Sequence, residues 1–166
     1  LPAIANGTMI VSPAIEEPGV AYELRFVSAR ATRSGDGYRL SGRKMFVPYA
    51  TAASQLLVLA RTAGATGDEE GCSLMLVDRE APGITMTPLA TIAPDRQFQV
   101  DFDEVIVPAE AVLGEAGAAL PVLGGWATTP RSVLAITEEI QRSTGPVTIL
   151  ECGSGTSTVL DALLLK

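Results

Sequence analysis

Leu24-Arg25-Phe26-Val27-Ser28-Ala29-Arg30-Ala31-Thr32, then Arg33-Ser34-Gly35-Asp36-Gly37, then Tyr38-Arg39-Leu40-Ser41-Gly42-Arg43-Lys44-Met45-Phe46-Val47, is the stretch that decides the fold. The first segment mostly alternates, with Leu24, Phe26, Ser28, Arg30 and Thr32 on one face. Gly35-Asp36-Gly37 supplies the positive-φ positions that a hairpin turn needs. The last segment reads as the returning strand, ended by Pro48, and Gly42 inside it marks a bulge or a close backbone approach.

The same signature repeats on both sides. Met9-Ile10-Val11 is a brief apolar run closed by Pro13. Leu56-Leu57-Val58-Leu59, within 55–60, is continuous and apolar, as in a strand covered on both faces. Residues 63–71 are small, acidic and glycine-rich, hence an exposed loop. Cys72 to Asp78 and Ile84 to Thr87 read as further strands. Phe98, Val100 and Phe102 alternate with Gln99, Asp101 and Asp103, and Val105-Ile106-Val107 runs into Pro108. About seven short strands at roughly ten-residue spacing, with no amphipathic helix between them, predict a mainly β chain, a sandwich or small barrel, over 1–117.

The character then changes. Residues 118–129 form a Pro/Gly-containing linker, and 130–166 read as a short α-β-α tail. Thr129-Pro130 resembles an N-cap and first helical residue, and Val133, Ile136 and Ile140 share a helical face. Val147 to Leu150 is a strand, Gly153-Ser154-Gly155 a turn, and 158–165 an apolar helix start.

Composition narrows the chemistry. Of 166 residues, 12 are Lys or Arg and 19 are Asp or Glu, for a net charge of −7, and none is His. An acidic chain lacks the basic surface that nucleic acid or an anionic membrane requires. Without histidine there is no Ser-His-Asp or Cys-His nucleophile and no imidazole base or ligand. Cys72 and Cys152 form no C-x-x-C pair, so neither a disulfide framework nor a resident metal is expected, and a reducing, cytoplasmic compartment is. No apolar run is long enough to span a bilayer, and the amino terminus has no charged and apolar leader pattern. The opening Leu1-Pro2, rather than Met, reads as a fragment or a processed chain. With 47% apolar residues but only 5% aromatic, the molecule is expected to bury surface against a partner domain or subunit.

Few groups could carry reactions. Glu16-Glu17, on an extended segment, point apart and read as solvated loop charges. Arg43-Lys44 beside Phe46 reads as a solvated strand face, although it could hold an anion. Asp101, Asp103 and Glu104 read as a polar face, Cys72 as a small core residue, and Trp126 as a packing anchor.

At the level of whole segments, the chain resembles a known family. "LPAIANG" (1–7), "PAIEEPG" (13–19), "ARATRSGDGYRLSGRKMFVPYATAASQLLVLART" (29–62), "LVDREAPGITMTPL" (76–89) and "FQVDFDEVIVPAEAVLGEAG" (98–117) are similar, in order and spacing, to the middle β domain of acyl-CoA dehydrogenases. The resemblance implies a β-sandwich between two helical domains, with FAD against it and an acyl-CoA thioester between the flavin and a carboxylate of the carboxy-terminal helical domain. It implies flavin-dependent α,β-dehydrogenation, with no catalytic residue of this chain taking part. It implies cofactor contacts at Ile15 and Glu16, through the strand-end backbone, and at Phe46, Val47 and Pro48, packed on the ring. It also implies missing helical domains or a partner subunit, in a homo- or hetero-oligomer.

Three positions depart from the family pattern. Glu16 replaces a hydroxyl residue and would repel a reduced, anionic flavin, Ala21-Tyr22-Glu23 replaces Gly-Ser-Asp, and Pro48 replaces a hydroxyl and has no N–H to donate. Weakened or lost flavin binding is expected from them. The tail "PVTILECGSGTST" (146–158) resembles the first strand and glycine loop of class I S-adenosylmethionine-dependent methyltransferases, with Glu151 at the acidic position. The sequence stops before a ribose-binding strand, so a complete S-adenosylmethionine site is not expected. Two other readings therefore stay open: a non-catalytic β-sandwich interaction module, and a truncated methyltransferase.

Overall fold

The computed structural model describes residues 2–19, 24–92 and 94–119. A four-residue helix, α1 (Pro2–Ala5), belongs to a separate unit, and the β unit begins at Ile10. The unit contains β1 (Val11–Ala14), β2 (Arg30–Ser34), β3 (Gly37–Pro48), β4 (Gln55–Arg61), β5 (Cys72–Asp78), β6 (Ile84–Pro88), β7 (Gln97–Pro108) and β8 (Val112–Leu113). The ladder runs β6-β7-β3-β2-β4-β5-β8, with β1 beside β4. The mainly β expectation holds. The linker at 118–129, the α-β-α tail and Trp126 lie outside the described residues, apart from Ala118 and Ala119.

The sheet has two halves. In one, β3 pairs antiparallel with both β2 and β7, and β7 with β6. In the other, β4 pairs antiparallel with β5 along its whole length and takes β1, parallel, on its opposite edge from Gln55 to Val58. The halves meet at one pair, Arg30 opposite Arg61, reinforced by the Arg61 N–H donating to the Ala29 carbonyl at 2.8 Å. Between them lies a core that includes Ala29, Leu40, Leu56, Val58, Met75 and Val100, each 0% exposed. Each Leu, Val or Met side chain buried this fully contributes about 1.5–3 kcal/mol.

The central hairpin forms as its sequence predicts, with Ser34 paired to Gly37 around Gly35-Asp36 and Gly35 at φ 62°. Gly37 has a different role from the one expected. It packs so closely on β7 that a Cβ there would lie 2.5 Å from the Val107 carbonyl oxygen. The strand expected over Leu24–Thr32 is also corrected. Leu24–Phe26 is a 3-10 turn and β2 begins only at Arg30, so Val27, Ala29 and Ala31 are buried in place of the opposite set. Pro13, expected to end a strand, lies inside β1 opposite Leu57, where β1 is an outer strand and the missing N–H is tolerated.

β3 and β7, each 12 residues long, pass through two irregularities. Leu40 faces Val105 and Gly42 faces Phe102, so Asp103 and Glu104 share the space opposite Ser41. Glu104 has φ 52°, and the Ser41 hydroxyl donates to Glu104 Oε1 at 2.9 Å and accepts the Glu104 N–H at 3.1 Å. Further along, Lys44 faces Val100 but Val47 faces Phe98, so Met45 and Phe46 bulge from β3. Each extra residue shifts the alternation by one. That is how Phe98, Val100 and Phe102, and then Val105 and Val107, all face the core along one continuous strand.

Candidate functional site

The second bulge makes the most unusual surface among the described residues. Phe46 and Tyr49 both have left-handed backbones, at φ 55° and 47°, and both side chains are 53% exposed. For a bulky residue this conformation costs about 1–3 kcal/mol, and it persists only where the surroundings over-determine it. Here they do. The Met45 N–H donates to the Glu16 carbonyl at 2.9 Å, and the Tyr49 N–H donates to the Arg96 carbonyl at 2.7 Å. The Tyr49 carbonyl in turn accepts the Ala52 N–H at 2.8 Å. Ser12 Oγ of β1 donates to the Pro48 carbonyl at 2.5 Å.

These bonds bring the strap that follows β1, residues 15–17, against the bulge. Ile15, Glu16 and Phe46 are thereby gathered in one place. Val47 is 0% exposed and Pro48 is buried, so the Val47 side chain belongs to the core and Pro48 offers a carbonyl that Ser12 already occupies. Tyr49, which the sequence did not single out, is the second exposed aromatic of this segment.

Two sequence readings are corrected beneath this surface. Glu17 and Lys44 are not solvated. Their side chains are 1% and 0% exposed and form an ion pair of 2.7 Å. Glu17 Oε2 accepts the Ser28 N–H and Ser28 Oγ, both at 2.7 Å, and Oε1 accepts the Ala29 N–H at 3.0 Å. Burial pushes the Glu17 carboxyl up, but Lys44 and the Ser28 bonds outweigh it and hold the carboxyl below the usual range. Glu16, half-buried, goes the other way: burial raises it, only partly opposed by Lys44.

The remaining candidates stay in the scaffold. Cys72 is a buried free thiol whose ionisation burial pushes up, against the pull of Arg61 and Lys44. Asp101 is held by Arg43 at 2.5 Å and Gln99 at 2.7 Å. Glu151 and Cys152 lie outside the described residues.

The arrangement can offer a planar apolar ligand two exposed aromatic side chains. The strap's backbone bonds to Met45, next to Phe46, and carries one half-buried carboxylate, Glu16. It offers no nucleophile and no imidazole.

Comparison with known proteins agrees with this architecture. Residues 12–105 match the family described as acyl-CoA dehydrogenase, middle domain. The acyl-CoA dehydrogenase FadE12 of Mycobacterium tuberculosis is 34% identical over 125 residues, which cover 74% of this chain and 32% of that protein. The chain thus spans about a third of that relative's length. A solved glutaryl-coenzyme A dehydrogenase in complex with glutaryl-CoA superposes with a TM-score of 0.69 at 28% identity, covering 81% of this chain and 35% of that one. The ChsE4-ChsE5 complex of M. tuberculosis gives a TM-score of 0.71 at 24% identity over 88% and 42% of the two chains, a likeness of fold. Matched over more than half its length by the middle-domain family, the chain belongs to the acyl-CoA dehydrogenases.

Proposed function

We propose that this chain forms the flavin-facing wall of an FAD-dependent oxidoreductase that dehydrogenates acyl-CoA thioesters between the α and β carbons. The observation that supports it is the exposed Phe46 surface, held in a strained backbone beside the strap, in a chain whose family match spans both segments. An exposed aromatic kept from collapsing inward is the kind of flat, apolar contact an isoalloxazine ring needs.

Phe46 and Tyr49 would line the ring, and Ile15 and Glu16 would approach its edge. Val47 and Pro48 would support the contact from within. When bound, the flavin supplies a hydride acceptor. This chain's residues orient the ring and exclude water from one side of it. The catalytic carboxylate that removes the substrate's α-proton comes from another domain or a partner subunit. An oligomer in the cytoplasm completes the proposal. The Glu16 carboxylate lowers affinity for the reduced, anionic flavin relative to the oxidised form.

The test is a visible absorption spectrum of the purified chain after incubation with excess FAD and removal of what is unbound. Flavin bands that remain with wild type and are lost in Phe46→Ala support the reading. A folded, colourless wild-type protein overturns it and favours the non-catalytic interaction module, the reading to which Glu16 lends its weight.

A further inference from the structure

We infer that the buried Glu17–Lys44 pair is a positioning device, which fixes residues 15–17 in register against the Met45–Phe46 bulge and so sets the shape of the aromatic surface. The clamp follows from the geometry alone; the ligand that benefits from it rests on the flavin reading above.

Three successive strap residues each present one acceptor to two successive residues of β3. The Ile15 carbonyl accepts from Lys44 Nζ at 3.0 Å, the Glu16 carbonyl from the Met45 N–H at 2.9 Å, and Glu17 Oε1 from Lys44 Nζ at 2.7 Å. This happens where β3 has left its ladder with β7, because register is lost after Lys44 and resumes only at Val47. The strap therefore supplies the acceptor that the Met45 amide lacks in the sheet. On its far side Glu17 is held by the N–H groups of Ser28 and Ala29, so one carboxylate ties three segments together.

A buried ion pair is a poor way to gain stability, since desolvating both charges offsets most of their attraction. What it provides over an apolar pair is direction: Lys44 Nζ satisfies its donors only if Ile15 and Glu17 are both in place. A strap displaced by one residue would leave a charge buried without a partner. Phe46 follows Met45 directly, at φ 55° with its ring 53% exposed. Once the Met45 bond is lost, the restraint on the amino-terminal side of that backbone is gone, and Phe46 relaxes toward the extended region. Glu17 and Lys44 thus act on the surface without touching what binds there.

The experiment compares amide exchange, residue by residue, in the 166-residue chain and two variants. In the double variant Glu17→Gln/Lys44→Met, which removes both charges at similar volume, Met45 should exchange at least tenfold faster while amides of β4 and β5 keep wild-type protection. Any FAD retained by wild type should bind at least tenfold more weakly, with an altered visible band shape. Ser28→Ala, at an exposed position, removes only one bond to Glu17 and keeps the fold, so it decides the matter if the double variant does not fold; Met45 should then exchange about threefold faster. Wild-type protection of Met45 in a folded variant overturns the inference, as does a uniform acceleration of all amides, which would mark a purely structural role. A wild-type chain that retains no flavin ends the flavin reading, while the exchange at Met45 still decides the clamp.

Discussion

Phe46 concentrates the conflict between stability and function in one residue. Its left-handed backbone is a cost of about 1–3 kcal/mol that a glycine would not bear, while glycine's own loss of freedom returns about 0.5–1 kcal/mol. Phe46→Gly is therefore expected to be more stable than Phe46→Ala by about 1 kcal/mol in urea unfolding, although both lose the ring and both should weaken flavin retention equally. Equal stabilities would mean that the backbone is not strained as its φ of 55° indicates. Legibility differs among neighbouring residues here. Phe46 could be flagged from sequence only because its segment resembles the one that packs on the flavin in the acyl-CoA dehydrogenase family. Lys44 was misread, because a charged residue is assigned to solvent by default. The signal was nevertheless present, since Lys44 continues the parity of Tyr38, Leu40 and Gly42 on β3.

At the scale of elements, periodicity found the strands but not their interruptions. β5 is where the sequence places it, and the apolar faces of β4 and β7 are the buried ones. The parallel pairing of β1 was not legible, because it joins residues 44 positions apart with no turn between them to declare it. The 3-10 turn before β2 was hidden for a related reason. Its residues are held by Arg61, whose fully buried guanidinium donates to the carbonyls of Arg25 at 2.5 Å, Val27 at 3.3 Å and Glu70 at 2.9 Å. The close backbone approach at Gly42 was legible, and it yields a sharp expectation. Gly42 has φ 148°, and a Cβ built there would lie 2.6 Å from both Cα and Cβ of Ala29. Those atoms belong to a packed backbone that cannot swing aside. Gly42→Ala should lose about 3 kcal/mol, strain and overpacking together, as a shift in the urea midpoint with little change in m-value. A loss below about 0.5 kcal/mol, the level of an ordinary surface substitution, would mean that β3 does not pack tightly against the segment leading into β2 at this point.

For the molecule as a whole, the two adjacent carboxylates tie stability to pH with opposite signs. Glu17 is held below its reference value of 4.5. Its contribution is fully present above that value and is lost as pH falls through the lower, folded value. Glu16 is raised above 4.5 by burial. Its contribution is present below 4.5 and is lost as pH rises through the higher, folded value. Replacing each with glutamine separates the two. Glu17→Gln should cost stability at pH 7, where it leaves Lys44 buried without its counter-charge, by about 3 kcal/mol. That deficit should shrink on acidification below 4.5, by at most about 1.4 kcal/mol per pH unit for the one proton involved. Glu16→Gln should match wild type in acid and become the more stable of the two as pH rises past 4.5. Urea unfolding at pH 7, 5, 4 and 3 reads both curves on one protein. Parallel curves for the two variants would mean that Glu16 and Glu17 share one environment, whereas the structure leaves the Glu16 carboxylate half-buried and pairs the buried Glu17 carboxylate with Lys44.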